Sequence, residues 1–199
     1  SSSPATSGTP AAFMRRNVRL KACLAALFLT LAVACTPGIA PRTEAHRPAA
    51  IRSDTFVMQD GARLPYRRWS PEGPVKAAVI ALHGFNDYSG AYSDLGPLLA
   101  EQGLLVFAYD QRGFGGTAMR GDWAGTETMV RDLDTVTELL RATYPDLPVY
   151  ALGESMGGAV IMAALGGYSP PRLDGAVLSA PAVWGRSTMS PWQRSALTV

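Results

Sequence analysis

A serine held between glycines in Val149-Tyr-Ala-Leu-Gly-Glu-Ser-Met-Gly-Gly158 does more than any other stretch to limit the folds open to this chain. A β-forming apolar run leads into it and a helix-forming run leads out, so the Gly-x-Ser-x-Gly pattern falls on a strand-to-helix turn. A serine there sits at the tip with its Oγ projecting from the end of the sheet. Gly153 and Gly157 leave room for the close chain approach that such a turn requires. Taken alone, the pattern more often marks an ordinary tight turn. Its place between strand and helix is what makes Ser155 a candidate nucleophile, with the Met156 N–H, at a helix start, as one oxyanion donor.

Around this turn the sequence reads as a hairpin followed by alternating β and α elements. Thr55 to Gln59 and Arg63 to Trp69 flank an Asp60-Gly61 turn. Lys76 to Leu82 and Leu104 to Tyr109 are short continuous apolar runs, the signature of buried parallel strands. A helix is predicted over Ala91 to Gln102. Another covers Thr126 to Tyr144, where Met129, Leu133, Val136, Leu140 and Tyr144 keep helical spacing until Pro145. Val149 to Leu152, Met156 to Leu165 and Ala176 to Ser179 continue the alternation. The implied fold class is α/β, a mostly parallel sheet with helices on both faces, and chemistry is expected in loops at strand carboxyl ends.

Two such loops accompany the serine turn. His83-Gly84-Phe85-Asn86-Asp87 follows the first apolar strand and offers Phe85 as the second backbone oxyanion donor. His83 invites a role as catalytic base but comes too early in chain order, and is read as a loop-shaping residue bonded to backbone; Asp87 is read as a turn cap. Asp110-Gln-Arg-Gly-Phe-Gly-Gly116 follows the second strand, and Asp110 and Arg112 are read as bracing this glycine-rich turn. Gly113-x-Gly115 does not complete a dinucleotide fingerprint, so no cofactor is expected, and no metal site. Glu154 is a neighbour on the turn rather than an acid catalyst. Met156, Met162, Trp184 and Trp192 could line an acyl pocket, although packing explains the methionines equally well.

The chain has 199 residues, 47% hydrophobic and 17% charged, which suits one ordinary domain. Its +2 formal charge misleads, because four of its 18 Lys and Arg lie in the first 35 residues; the remaining 14 face 16 Asp and Glu. Nothing points to nucleic acid. Residues 1–13 read as an upstream extension. Residues 14–35, basic from Met14 to Lys21 and apolar from Ala22 to Ala34, read as an export signal. Leu31-Ala-Val-Ala-Cys35 resembles a bacterial lipobox, so Cys35 is the candidate lipidation site and the expected location is the cell envelope, membrane-anchored. Ala32-x-Ala34 also suits ordinary signal cleavage, giving a periplasmic or secreted protein instead. Residues 36–51, with His46, read as a linker.

Leu82-His-Gly-Phe-Asn-Asp-Tyr88, Tyr109-Asp-Gln-Arg-Gly-Phe-Gly115, Asp132-Leu-Asp134 and Leu152-Gly-Glu-Ser-Met-Gly-Gly158, in this order, resemble the monoacylglycerol lipase and lysophospholipase group of α/β-hydrolases, also classed with serine aminopeptidases. The resemblance covers residues 52–182 and implies an eight-stranded sheet, a lid after the sixth strand, a Ser-Asp-His triad and lipid-like acyl-ester substrates. Ser155 and the backbones of Phe85 and Met156 carry over directly. In that family the triad acid and histidine follow later strands. The chain is therefore expected to be a fragment truncated within the lid, here residues 183–199, with an incomplete sheet and little activity of its own, since serine without a base keeps its proton. The alternatives are a non-catalytic envelope binding protein of the same fold, a serine peptidase, or a haloperoxidase.

Overall fold

The computed structural model describes residues 47–118, 120–183 and 189–192. Cys35, His46 and Trp184 lie outside these residues, as does the whole of the expected export signal. Seven strands, β1 (Ala50–Ile51), β2 (Thr55–Val57), β3 (Arg63–Trp69), β4 (Ala77–Leu82), β5 (Leu104–Tyr109), β6 (Val149–Glu154) and β7 (Gly175–Ser179), form one sheet in the order β1-β2-β3-β5-β4-β6-β7. The first three strands run antiparallel and β3 joins β5 antiparallel; β5, β4, β6 and β7 are mutually parallel. The helices are α1 (Leu95–Glu101), α2 (Thr126–Thr143) and α3 (Met156–Leu165).

The continuous apolar runs became strands because only the middle of a sheet covered on both faces can bury every residue, and all six residues of β4 are buried. On one face α2 and α3 pack, with Met129, Leu133, Val136 and Leu140 in one cluster with Phe56, Ile80, Phe107 and Ile161. On the other face Tyr92 joins Val79, Ala81, Val106 and Ala108, with Leu99 of α1 packed against them. Helices thus cover both faces, as the alternation implies. The register sets Leu82 opposite both Tyr109 and Gly153, and Gly153 opposite Leu178. The loops leaving β4, β5 and β6 therefore emerge along one edge, and the site is assembled there.

Three elements differ from the sequence expectation. The helix predicted over Ala91 to Gln102 is a 3-10 turn at Ser89–Tyr92 followed by α1. Pro97 has no N–H to offer Ser93, and its ring would strike that carbonyl in a continuous helix, so α1 restarts with the proline in its first turn. The sheet also begins inside the expected linker, where Ala50 and Ile51 pair with Val57 and Phe56 and the Arg47 N–H bonds Gln59 O at 2.8 Å. Finally, β6 runs on to Glu154, directly against Ser155.

The last two strands are thinly covered. Among the described residues β7 pairs with β6 alone, and Tyr150, Val177, Leu178, Met162 and Leu165 are all exposed. Leu133→Ala, in the sealed half of the core, should lower unfolding free energy by about 2–5 kcal/mol, whereas Met162→Ala should change it by less than about 1 kcal/mol; urea midpoints at constant m would check both.

Candidate active site

The turn at Ser155 is geometrically exceptional. Its φ of 48° and ψ of −111° lie in a region that L-residues seldom occupy, a strain of about 1–3 kcal/mol that the surrounding packing must hold. The packing is explicit. A Cβ at Gly157 would collide with the Leu82 carbonyl oxygen, and one at Gly153 would lie 2.6 Å from backbone atoms of Gly157 and Gly158. Gly158, not singled out from the pattern, would meet Pro181 at 2.9 Å. The Ser155 N–H donates to Ser179 O at 2.9 Å, while its carbonyl accepts from Ala159 at 3.0 Å and Ala182 at 2.9 Å. The end of β7 and the residues just after it thus clamp the turn from the side.

Gly84 connects this turn with the loop after β4. A methyl group placed on it would sit 3.6 Å from both Ser155 Cβ and Glu154 Oε2, so the loop passes directly over the serine. Phe85 follows, its ring exposed but set edge-on to Phe114 at 5.5 Å; Phe114 meets His83 in the same manner at 5.6 Å. Met156 starts α3, where its N–H can have no intrahelical acceptor. Among the described residues neither the Phe85 nor the Met156 N–H is engaged by a hydrogen bond. The Met156 side chain is buried in the core beside Ile161, whereas Met162 and Trp192 are exposed, so these side chains do not come together as a lining.

His83 is fully buried with both ring nitrogens occupied. Its Nε2 accepts the Gln111 N–H at 3.0 Å, which leaves the proton on Nδ1, 2.8 Å from Gly84 O. The ring is therefore a neutral brace between two loops. Asp110 does the same from the neighbouring loop, its Oδ1 accepting the Ser89 N–H and its Oδ2 the Gly116 N–H, both at 2.7 Å. A side chain on Gly115, whose φ is 56°, would collide with that carboxylate. Asp87 Oδ1 accepts the Tyr88 N–H at 2.8 Å, a local turn contact.

Residues 73–199 match the family described as serine aminopeptidase, S33. The chain therefore belongs to the serine aminopeptidase S33 family. Similar members include the monoglyceride lipase of Homo sapiens, 37% identical over 129 residues, which are 64% of this chain and 42% of that one. The monoacylglycerol lipase of Mycolicibacterium smegmatis is 32% identical over 138 residues, 69% of this chain and 49% of its own. A soluble variant of the Saccharomyces cerevisiae monoglyceride lipase, solved with a substrate analogue, superposes with a TM-score of 0.59 at 27% identity, covering 79% of this chain and 54% of that one. The fold is that of the α/β-hydrolases. The chain spans about half the length, or less, of the relatives it matches.

Within this S33 chain, Arg112, from the loop after β5, forms a polar cluster with two acids. Its guanidinium grips Asp132 of α2 at 2.7 and 2.8 Å and Asp60 of the β2–β3 turn at 2.6 and 3.0 Å. The two acids respond differently. Burial pushes the Asp132 carboxyl up to about 6 against the pull of Arg112. Burial also works to raise the half-exposed Asp60, but its bonds to Arg112 and to the Ala62 N–H outweigh this and hold it low. Asp60 was legible only as a turn residue, and Tyr92, whose hydroxyl donates to Leu82 O at 2.7 Å, carried no signal at all. Among the described residues no three His, Cys, Asp or Glu side chains form a cluster able to hold a metal.

Burial holds the His83 imidazole below its ordinary 6.5, against the upward pull of its bond to Gly84 O and of nearby acids. The unfolded chain thus takes up this proton first, so the contribution of His83 is complete above about pH 6.5 and is lost as pH falls toward the folded value. The unfolding free energy should drop over that window with a slope that His83→Asn reduces. Nitrogen NMR of the wild-type ring should show an Nδ1–H tautomer that stays neutral below pH 6.5.

Proposed function

We propose that the protein containing this chain is a serine hydrolase that cleaves carboxylic esters of lipid-like acyl chains, of the monoacylglycerol or lysophospholipid type, through an acyl-enzyme on Ser155. The observation that carries the reading is the strained Ser155 at the end of β6 with two unengaged N–H groups beside it. Attack of Ser155 Oγ on an ester carbonyl moves negative charge onto the carbonyl oxygen. The Phe85 and Met156 N–H groups would receive that charge, aided by the positive end of α3. Preorganised donors need no rearrangement as the charge develops, and removal of one such donor typically costs 10²- to 10³-fold.

Activation of the hydroxyl needs a base. His83 is unavailable, because its Nε2 is filled and its Nδ1 faces a carbonyl. The base and its orienting acid would come from outside the described residues, in keeping with relatives about twice as long as the matched region. The names of those relatives support an ester substrate, and the family description keeps a peptide substrate as the second reading. In the full-length protein, a fluorophosphonate probe should label Ser155, and Ser155→Ala should abolish labelling and cut monoacylglycerol turnover by at least about a thousandfold. Equal turnover by the alanine variant would refute the assignment. Release of amino acids in place of fatty acid would favour the peptidase.

We further propose that Cys35 is diacylated and anchors the protein in the bacterial envelope, on the strength of Leu31-Ala-Val-Ala-Cys35 after an apolar run. Wild-type protein should sediment with membranes and Cys35→Ser should not, since several acyl chains are needed for durable anchoring. An unmodified mature Cys35 in the mass spectrum would end the proposal.

A further inference from the structure

Glu154 sits beside the candidate nucleophile with its charge unbalanced. It ends β6 as an exposed residue, and among the described residues its carboxylate makes no ion pair or hydrogen bond. Its Oε2 and the Ser155 Cβ both lie 3.6 Å from the same point over Gly84, which puts them within about 7 Å of each other, well inside a Debye length in physiological salt. Among the described residues the other charges near this loop do not cancel it. Asp87 is also acidic, Asp110 spends both oxygens on backbone N–H groups, and His83 is a buried ring with both nitrogens occupied. Arg67 lies over the Tyr88 ring, 5.8 Å from its centroid.

We infer that Glu154 is a specificity-determining residue that makes the Ser155 site select esters by charge, favouring neutral ones over those bearing an anionic group. The inference rests on Ser155 being the nucleophile. A substrate anion docked around the serine meets the carboxylate across partly wetted space; at a separation of about 7 Å a unit-charge repulsion weakens binding by roughly three- to eightfold. Neutral esters of the same length feel no such term. The effect is a charge interaction at an exposed side chain, so salt screens it and an amide of the same shape removes it.

The test uses the full-length protein and two esters with the same short acyl chain, a neutral 1-acylglycerol and its anionic 3-phosphate, whose difference in size is common to every variant. The ratio of kcat/KM for the phosphate ester to that for the neutral one should rise roughly three- to eightfold per substrate charge in Glu154→Gln, and further in Glu154→Lys. At about 0.5 M salt the three proteins should converge. A structural role for Glu154 would depress both esters together and leave the ratio alone. A ratio that is equal in all three proteins at low salt, or that differs as much at high salt, overturns the inference. Should wild type hydrolyse neither ester, the lipid-ester reading falls. The charge effect is then read from the labelling rates of Ser155 with a neutral and a carboxylate-tipped fluorophosphonate, which should order the variants in the same way. Absence of any Ser155 labelling would remove both.

Discussion

The structure depends on one close approach, the first turn of α3 against the end of β4. With no side chain on Gly157, the helix backbone can lie against the Leu82 carbonyl, and this proximity leaves the single residue between β6 and α3 too little room for an ordinary conformation. Ser155 absorbs the mismatch in its positive φ. The strain is therefore a result of packing two regular elements at full density, and the energy that maintains it comes from the fully buried β4 on one side and the backbone bonds to the end of β7 on the other.

Around that approach the polar groups act as struts between loops. His83 joins the β4 loop to the β5 loop, Asp110 joins the 3-10 turn to the glycine-rich turn, and Arg112 ties the hairpin turn to α2. Each strut is a buried or half-buried polar group whose partners are mostly backbone or opposite charge, so each desolvation is offset by bonds of fixed direction. Loops held this way can present backbone N–H groups without the motion usual for exposed segments.

Much of this was legible in the sequence because local pattern and tertiary demand agree. Continuous apolar runs became β4 and β5, helical spacing became α2, and the Gly-x-Ser-x-Gly turn took the conformation that its glycines suggest. What was not legible depended on distant partners. Ile51 is one apolar residue beside a proline-rich stretch, and becomes β1 only because Phe56 offers a register to pair with. Asp60 reads as a turn former until Arg112 arrives from 52 residues away. Tyr92 has no motif, since its role is to meet a carbonyl on another element. Gly158 escaped notice for the same reason, its constraint being Pro181 rather than its own helix.

The clamp on Ser155 also has a temporal meaning. Two of its backbone hydrogen bonds reach Ser179, the last residue of β7, and Ala182 just after it, both beyond the whole of α3. During synthesis those partners appear after the serine by roughly one to five seconds at ordinary elongation rates. Until then the turn lacks the support that stabilises its positive φ, and β6 can relax toward an unstrained end. The serine thus acquires its final geometry late, only after the backbone partners that hold it have been synthesised.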